Sequence, residues 1–235
     1  MNASLSARAF LSLVLATAAF ALGAGCASSS GLFGGWKPLF NGRDLDGWVR
    51  KGGKAEYRVE GSEIVGRPAP GNANTFLCTE RSYTNFILEM EFKPTTGLNS
   101  GVQVRSECAD TATTAQIEGK TFRFPAGRVH GYQIEIDPSP RAWTGGLYDE
   151  ARRGWLQNLD TNQPARQAFR ANVWNRLRIE CRDDSIRSWL NGVPATDFHD
   201  SVTPAGFIGL QVHAVKTDAT GLEIRWRNVR LRELP

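Results

Sequence analysis

The 235-residue sequence lacks the patterns that mark helical, repeat and nucleic-acid-binding proteins. No segment carries apolar residues at sustained helical spacing, and no repeat of about 40 residues, the length of a propeller blade, is visible. Lys and Arg are scattered, and the net charge is only +4, so the sequence has no basic stripe with interleaved aromatic residues. These absences argue against a helical bundle, a propeller and a nucleic-acid partner.

Cysteine is scarce, with four residues in the chain. Cys26 belongs to an N-terminal targeting segment, which leaves Cys78, Cys108 and Cys181 for at most one disulfide. The sequence does not identify the pair. Cys181 shares the apolar side of a predicted strand, and this position favours a buried free thiol.

The first 25 residues have the order of a bacterial signal peptide. Arg8 precedes an apolar run at 9–22, and small residues follow directly before Cys26. This order predicts a lipoprotein signal with Cys26 acylated after cleavage, and two or more acyl chains make a stable membrane anchor. Because Gly23 stands where an aliphatic residue is usual, ordinary signal-peptidase cleavage is the alternative.

The domain organisation follows from this segment. We expect a signal peptide at 1–25, a flexible Ser-rich tether at 26–35 and one domain at 36–235. The protein is predicted to be exported, and either lipid-anchored at the outer membrane or periplasmic. Its only membrane contact would be the lipid anchor.

Alternation of apolar and polar residues recurs from Phe86 to the C-terminus. It is clear at 86–92, 177–181 and 208–212, and it is typical of strands buried on one face. Residues 176–194 predict a hairpin with a following turn at Asn191-Gly192. A change of apolar parity near Arg227 predicts a bulge in the last strand.

These strands predict an all-β fold. Many antiparallel strands without helices favour two antiparallel sheets packed as a jelly-roll sandwich. Residues 106–129 are long, polar and without clear periodicity, so we expect a loop over one face of the sandwich.

Three predicted strands oppose an apolar face with an unusual polar one. Solvated faces are mostly Lys, Glu and Thr, whereas these strands present Gln, acids, Arg and His, which recognise hydroxyl groups. If the strands are neighbours, they form a concave polar floor suited to a sugar. The polar positions are Gln103, Arg105, Gln133, Glu135, Asp137, Gln211 and His213.

Several segments together resemble the 3-keto-disaccharide hydrolase family, formerly the domain of unknown function 1080. The motif Pro-Leu-Phe-Asn-Gly-x-Asp-Leu-x-Gly-Trp stands at 38–48. Further segments follow in the family's order at 57–66, 99–105, 131–137, 144–148, 174–175, 209–213 and 227–231. The resemblance covers about residues 36–234. It implies a concanavalin A-like jelly roll and activity on 3-keto-glucosides or 3-keto-disaccharides.

The resemblance also implies a mechanism. A 3-keto group acidifies the C2 proton, a base removes it, the C1 substituent leaves by β-elimination, and hydration completes a net hydrolysis. The resemblance suggests His213 and Glu135 for proton transfer and Arg105 for the enolate charge. The residues expected to bind the substrate are Gln103, Gln133, Asp137, Tyr148 and Gln211. The sequence identifies no definite cofactor, and a divalent metal on Glu135, Asp137 and His213 is an alternative way to polarise the oxygens.

Two other functions compete with this one. A retaining glycosidase would need a second carboxylate in a Glu-x-Asp-x-x-Glu strand, but Pro140 occupies the last position after Glu135 and Asp137. A non-catalytic glycan-binding module of the same fold would keep the polar floor and need no base. Turnover of a 3-keto-glucoside separates the enzyme from the binding module.

Overall fold

The computed structural model describes Met1 and residues 35–71, 73–216 and 220–235. The proposed signal peptide after Met1, Cys26 and the tether up to residue 34 lie outside the described residues. All strands fall in the unit Leu32–Pro235. The described elements are β1 Lys37–Pro38, β2 Trp48–Gly52, β3 Glu56–Glu60, β4 Glu63–Arg67, β5 Thr75–Thr79, β6 Phe86–Pro94, β7 Ser100–Glu107, β8 Thr113–Ile117, β9 Lys120–Phe124, β10 His130–Ile136, β11 Leu147–Glu150, β12 Gly154–Gln157, α1 Gln163–Arg166, β13 Asn175–Arg182, β14 Ser185–Leu190, β15 Val193–His199, β16 Phe207–Val212 and β17 Ile224–Glu233.

Two large antiparallel sheets form the domain, as predicted. The first sheet has the order β15-β14-β13-β6-β17-β4-β3, with β1 paired to β17. The second sheet has the order β12-β11-β10-β7-β16-β5-β2. Neighbouring strands in both sheets are mostly far apart in sequence, so long-range pairing brings the predicted polar strands β10, β7 and β16 side by side.

The alternating residues explain why these strands pack face to face. Apolar side chains of β6, β13 and β17 meet those of β7, β10 and β16 in one core. Phe92, Trp226, Val102, Ile134 and Leu210 are all almost fully buried there. Each such side chain contributes about 1.5–3 kcal/mol through its burial.

Local predictions in the first sheet are confirmed. β13, β14 and β15 form successive antiparallel hairpins. The register of β17 against β6 shifts between Arg227 and Arg230, and Asn228 has a φ of +53°. Cys181 is fully buried in the core, and Cys78, Cys108 and Cys181 are free thiols.

The prediction of a loop at 106–129 is wrong in its details. The segment begins inside β7 and then forms the hairpin of β8 and β9. His130 is buried at the start of β10 and stacks on Phe124 with ring centroids 3.6 Å apart. The hairpin strands mix polar and aromatic residues, so their alternation of apolar and polar side chains was not recognised in the sequence.

None of the helices among the described residues is long and apolar enough to span a membrane.

Candidate functional site

A polar pocket of about 310 Å³ lies on the outer face of the second sheet. Strands β10, β11, β12 and β16 contribute to it, together with residues at the starts of β5 and β7 and in the turn after β10. Its lining residues are Asn74, Asn99, Gln133, Glu135, Arg141, Tyr148, Glu150, Trp155, Gln211 and His213.

A chain of side-chain amides forms the floor of the pocket. Gln103 Nε2 and Gln211 Nε2 both donate to Gln133 Oε1, at 2.6 and 2.9 Å. Gln133 Nε2 in turn donates to Glu135 Oε2 at 2.9 Å. The chain of amides ends on Glu135, and this arrangement matches an ionised carboxylate, which accepts hydrogen bonds and donates none.

Gly101 makes room for this chain. It stands opposite both Glu135 on β10 and Gln211 on β16. A Cβ at Gly101 would lie 2.6 Å from Gln133 Cγ, far inside van der Waals contact. The absence of a side chain there allows the Gln133 amide to lie across β7 and join its two neighbours.

Glu135 is held from both its backbone and its side chain. The turn before β11 clamps the backbone, since Glu135 N donates to Gly146 O and Gly145 N donates to Glu135 O, both at 2.9 Å. Asn99 Nδ2 donates to Glu135 Oε1 at 2.6 Å, and Arg141 Nη2 lies 3.5 Å from the same oxygen. Burial raises the pKa of Glu135, although Asn99, Gln133 and Arg141 oppose the rise. A fixed carboxylate with a raised pKa is suited to act as a general base.

Arg141 is the cation of the floor. Its Nε donates to Asp137 Oδ2 at 2.7 Å, and this bond orients the guanidinium towards Glu135. The guanidinium also stacks over the rings of Trp143 and Trp155, at 4.6 and 5.1 Å from their centroids. A guanidinium supported in this way can hold negative charge that develops on a ligand oxygen.

Tyr148 and Glu150 form a wall on β11. The Tyr148 ring meets Trp155 edge to face with centroids 5.2 Å apart. Glu150 is 6% exposed, and Arg128 Nη2 donates to its Oε1 at 3.1 Å. Burial raises the pKa of Glu150, and the charges of Arg128 and His213 only partly oppose it.

His213 follows β16 and is exposed at the edge of the pocket. Its Nδ1 lies 2.8 Å from Ala214 O. Because a carbonyl oxygen only accepts, Nδ1 carries the proton in the neutral imidazole, and Nε2 has the free lone pair. Neutral His213 is therefore an acceptor at this edge of the pocket.

One buried polar atom of the floor has no hydrogen-bond partner among the described residues. Gln211 is 1% exposed, and its Oε1 has no hydrogen-bond donor among the described residues. A buried acceptor without a donor costs about 1–3 kcal/mol. A ligand hydroxyl at this position would remove that cost, so the floor is complementary to a hydrogen-bond donor.

Five of the predicted site residues come together here, and Arg105 does not. Gln133, Glu135, Tyr148, Gln211 and His213 all line the pocket.

The expectation that Arg105 faces the same floor is wrong. Its guanidinium donates to Thr84 O, Asp183 O and Asn85 Oδ1, and the residue is fully buried. Register shifts in the pairing of β7 with β10 and β16 and a φ of +47° at Arg105 turn it away, because a bulge reverses the alternation of side chains.

Gln103 and Asp137 also need correction, since neither lines the pocket. Gln103 is fully buried, donates to Gln133 and accepts from Ser106 Oγ at 2.6 Å. Asp137 accepts from Ser139 N and Arg141 Nε. Both therefore position pocket residues and do not present a free group to a ligand.

Sequence reasoning missed half of the lining residues. Asn99 shares the parity of Gln103, and Glu150 shares the parity of Tyr148. Extending the first row by two steps and the second by one would have found them. Asn74, Arg141 and Trp155 come from turns and an edge strand, where no local pattern marked them.

A metal centre has no structural support at this pocket. Within residues 35–71, 73–216 and 220–235, no three His, Cys, Asp or Glu side chains cluster closely enough to hold a metal ion. In the proposed ligand set of Glu135, Asp137 and His213, the Asp137 carboxylate is already engaged by Ser139 and Arg141.

A larger recess of about 700 Å³ lies on the outer face of the first sheet, between Trp36 and Arg230. Its charged groups satisfy one another, for Glu89 accepts from Arg230 Nη2 at 2.6 Å and pairs with Arg176 Nη2 at 2.8 Å. None of the buried, unpartnered polar side-chain atoms among the described residues lines this recess. The smaller pocket is therefore the better candidate for a site.

Comparison with known proteins points to carbohydrates. A family model described as the 3-keto-alpha-glucoside-1,2-lyase-like domain matches residues 35–232. No functionally curated protein matches the chain.

Solved structures share the fold at low identity. A candidate glycosyl hydrolase from Parabacteroides distasonis has 17% identity and a TM-score of 0.54, with 86% of this chain and 94% of that one covered. The carbohydrate-binding module CBM66 from Bacillus subtilis has 19% identity and a TM-score of 0.53, with 78% and 93% covered. A Bacillus subtilis protein of unknown function with a galectin-like fold has 14% identity and a TM-score of 0.57, with 86% and 96% covered. These neighbours confirm the concanavalin A-like sandwich that the sequence predicted.

Proposed function

Because the chain belongs to the 3-keto-alpha-glucoside-1,2-lyase-like family, we propose that it cleaves 3-keto-glycosides at the pocket around Glu135. The C2 proton is removed, the C1 substituent leaves by β-elimination, and water adds across the new C1–C2 double bond. The net reaction is hydrolysis of the glycosidic bond. The substrates are oxidised glucosides or disaccharides.

The environment of Glu135 is the observation that carries this proposal. Elimination needs a base that is fixed, desolvated and close to a cation, and Glu135 is clamped by its backbone, buried, and 3.5 Å from Arg141 Nη2. The raised pKa of its carboxyl lies closer to neutral pH than that of an ordinary glutamate, and this favours a general base. Glu135 takes the C2 proton, and the electron pair moves towards the 3-keto oxygen.

Arg141 takes the role that Arg105 cannot fill. The oxygen on C3 becomes negative when C2 loses its proton, and Arg141 supplies a guanidinium beside the base. Asp137, Trp143 and Trp155 hold that guanidinium in place before the substrate arrives. Such preorganisation stabilises the enolate without rearrangement of the protein.

His213 acts in the hydration step. Its neutral Nε2 accepts a proton from the water that adds to C1, while Glu135 returns its proton to C2. The floor amides and Tyr148 bind the remaining hydroxyls, and the unpartnered Gln211 Oε1 accepts from one of them.

The test compares two matched substrates, a 3-keto-glucoside and the glucoside from which it derives. We expect aglycone release and C2–H exchange with deuterated solvent for the first and neither for the second, since an acetal C2 proton is far too weakly acidic for a carboxylate base. Release from both substrates would indicate an ordinary glycosidase. Binding of the 3-keto-glucoside without exchange or release would leave a glycan-binding module instead.

We also propose that the protein is exported and anchored through an acylated Cys26. The proposal rests on the sequence around residue 26, which lies outside the described residues. Mass spectrometry of the protein from its native host should find a lipid-modified Cys26 as the first residue of the mature chain. An unmodified Cys26, or cleavage at another position, would contradict it.

A further inference from the structure

Glu150 is a pocket carboxyl that the proposed reaction does not yet use. It is the last residue of β11, and only 6% of its surface is exposed. Arg128 donates to Oε1 at 3.1 Å, and the Asn74 side chain lines the same pocket. Burial and the nearby charge of Asp149 raise its pKa, while Arg128, His213 and Asn74 oppose the rise. Glu135 and Glu150 are therefore the two lining carboxyls that hold a proton more readily than an ordinary glutamate.

Its place in the pocket is separate from that of Glu135. Glu135 bonds through its backbone to Gly146, Tyr148 stands opposite Gln133, and Glu150 stands opposite Gly131. Tyr148 therefore lies between the two carboxyl-bearing residues along the pair of strands β10 and β11. Arg141 lies on the Glu135 side, whereas Arg128 and His213 interact with Glu150. The pocket thus offers a base with its cation at one side and a second carboxyl at the other.

This order matches the atoms of the substrate. In a 3-keto-pyranoside, C2 lies between C3, where the enolate forms, and C1, which loses its substituent. With Glu135 at C2 and Arg141 at the oxygen on C3, the departing oxygen on C1 is directed towards Glu150. His213 is a poor alternative, because its neutral form donates Nδ1–H to Ala214 O and offers only a lone pair at Nε2.

We propose that Glu150 is the general acid that protonates the glycosidic oxygen as it leaves C1. The inference rests on the proposed function. The C2–H electron pair becomes the C1–C2 double bond, the C1–O bond breaks with its pair on oxygen, and that oxygen takes the Glu150 proton. Arg128 then stabilises the Glu150 carboxylate. After hydration, the proton that His213 took from water returns to Glu150, and Glu135 is again ionised.

Leaving groups of different basicity test this role. A methyl 3-keto-glucoside needs a proton on its departing oxygen, whereas a p-nitrophenyl 3-keto-glucoside releases a stable anion. Glu150→Gln should slow methanol release by about 10²–10⁴-fold, the usual effect of losing a general acid. It should change nitrophenol release and C2–H exchange by only a few-fold. Glu135→Gln should slow exchange and release by about 10²–10⁴-fold for both aglycones. Glu107→Gln, a change at an exposed carboxylate outside this pocket, should change neither.

The pH profile supplies a second readout. The titratable groups that influence Glu150 are Arg128, His213, Asp149 and Tyr148. A general acid is active while protonated, so release of methanol should fall as the pH rises through the raised pKa of Glu150. Glu150→Gln should lose that alkaline limb and keep the acid limb that reports ionisation of Glu135.

Two results would overturn the inference while leaving the proposed function intact. One is equal slowing of both aglycones by Glu150→Gln in a folded variant, which would assign Glu150 to substrate binding. The other is unchanged methanol release. Failure of the wild-type protein to exchange the C2 proton of either substrate would instead overturn the proposed function itself.

Discussion

The outer faces of the two sheets are both polar, yet their polar groups are organised in opposite ways. On the first sheet, opposite charges face each other directly across neighbouring strands. Glu89 stands opposite Arg178 on β13 and Arg230 on β17, and Glu91 stands opposite Arg176 and Arg227. Each acid is satisfied by guanidinium groups of the same face, so the charges neutralise one another.

The second sheet carries amides where the first carries ion pairs. Its chain of donors ends on one carboxylate, Glu135, and leaves one acceptor, Gln211 Oε1, without a partner. The pKa of Glu135 is raised by burial. Burial would also raise that of Glu89, but hydrogen bonds from Arg230, Arg176 and Arg178 hold it below its ordinary value.

The difference shows how a functional face can be told from a solvated one. A row of acids and arginines in register stabilises the sheet and has little left to offer a ligand. A row of amides that converges on a buried acid leaves hydrogen-bonding capacity and proton affinity unused. Polar and apolar residues alternate with the same period in the strands of both sheets. The two faces differ in the residue types that bond to each acid, arginines on the first sheet and amides on the second.

The largest effect should come from exchanging one glutamate for glutamine on each face. Glu135→Gln removes the base and should lower turnover of a 3-keto-glucoside by about 10²–10⁴-fold, with the fold retained by circular dichroism. Glu89→Gln, the matched change on the first sheet, should keep turnover within about two-fold, since this face has no part in proton transfer. Comparable turnover losses in both variants would show that the two faces do not differ in their contribution to catalysis.

A smaller effect should follow from filling the space over Gly101. Gly101→Ala displaces the Gln133 amide and breaks its hydrogen bond to Glu135, a bond to a charged group worth about 1.5–3 kcal/mol, so turnover should fall about 10- to 100-fold. Gly209→Ala is the matched control on the neighbouring strand, because its Cβ would approach Cys78 Sγ and Gln103 Cβ only to 3.3 Å. Steady-state kinetics of the two variants measure the difference. Equal losses would show that the amide chain does not control Glu135.

The smallest effect concerns the stability of the first sheet. Glu89→Gln should lower the free energy of unfolding by about 1–2 kcal/mol at neutral pH, because its three arginine partners are partly exposed and screened by solvent. The folded-state pKa of Glu89 is lowered, so its stabilisation is present above its unfolded pKa, about 4.3, and is lost as the pH falls through the folded value. Urea unfolding of both proteins between neutral and acid pH should therefore show the gap closing in acid. A gap independent of pH would attribute the loss to packing.

The sequence by itself determined many of the strands and, where a strand runs without a bulge, which of its side chains share a face. Alternation of side chains is a local property of an extended backbone, so the pattern at 131–137 was enough to put Gln133 and Glu135 on one side. The same reasoning predicted the hairpins of β13 to β15 and the bulge near Arg227, and both are confirmed. The resemblance of the sequence motifs to the 3-keto-disaccharide hydrolase family predicted the concanavalin A-like form of the two-sheet fold, which is confirmed.

Only the tertiary structure decided which strands are neighbours and that alternation fails at Arg105. The order β10-β7-β16-β5 depends on pairing between segments far apart in the chain, and it determines that Gln211 reaches Gln133 across Gly101. The bulge at Arg105 reverses a single side chain and moves a predicted site residue into the buried interior. Arg141 and Glu150 enter the pocket through a turn and through the far end of a strand, because packing of the whole domain, and not local periodicity, sets where those residues meet.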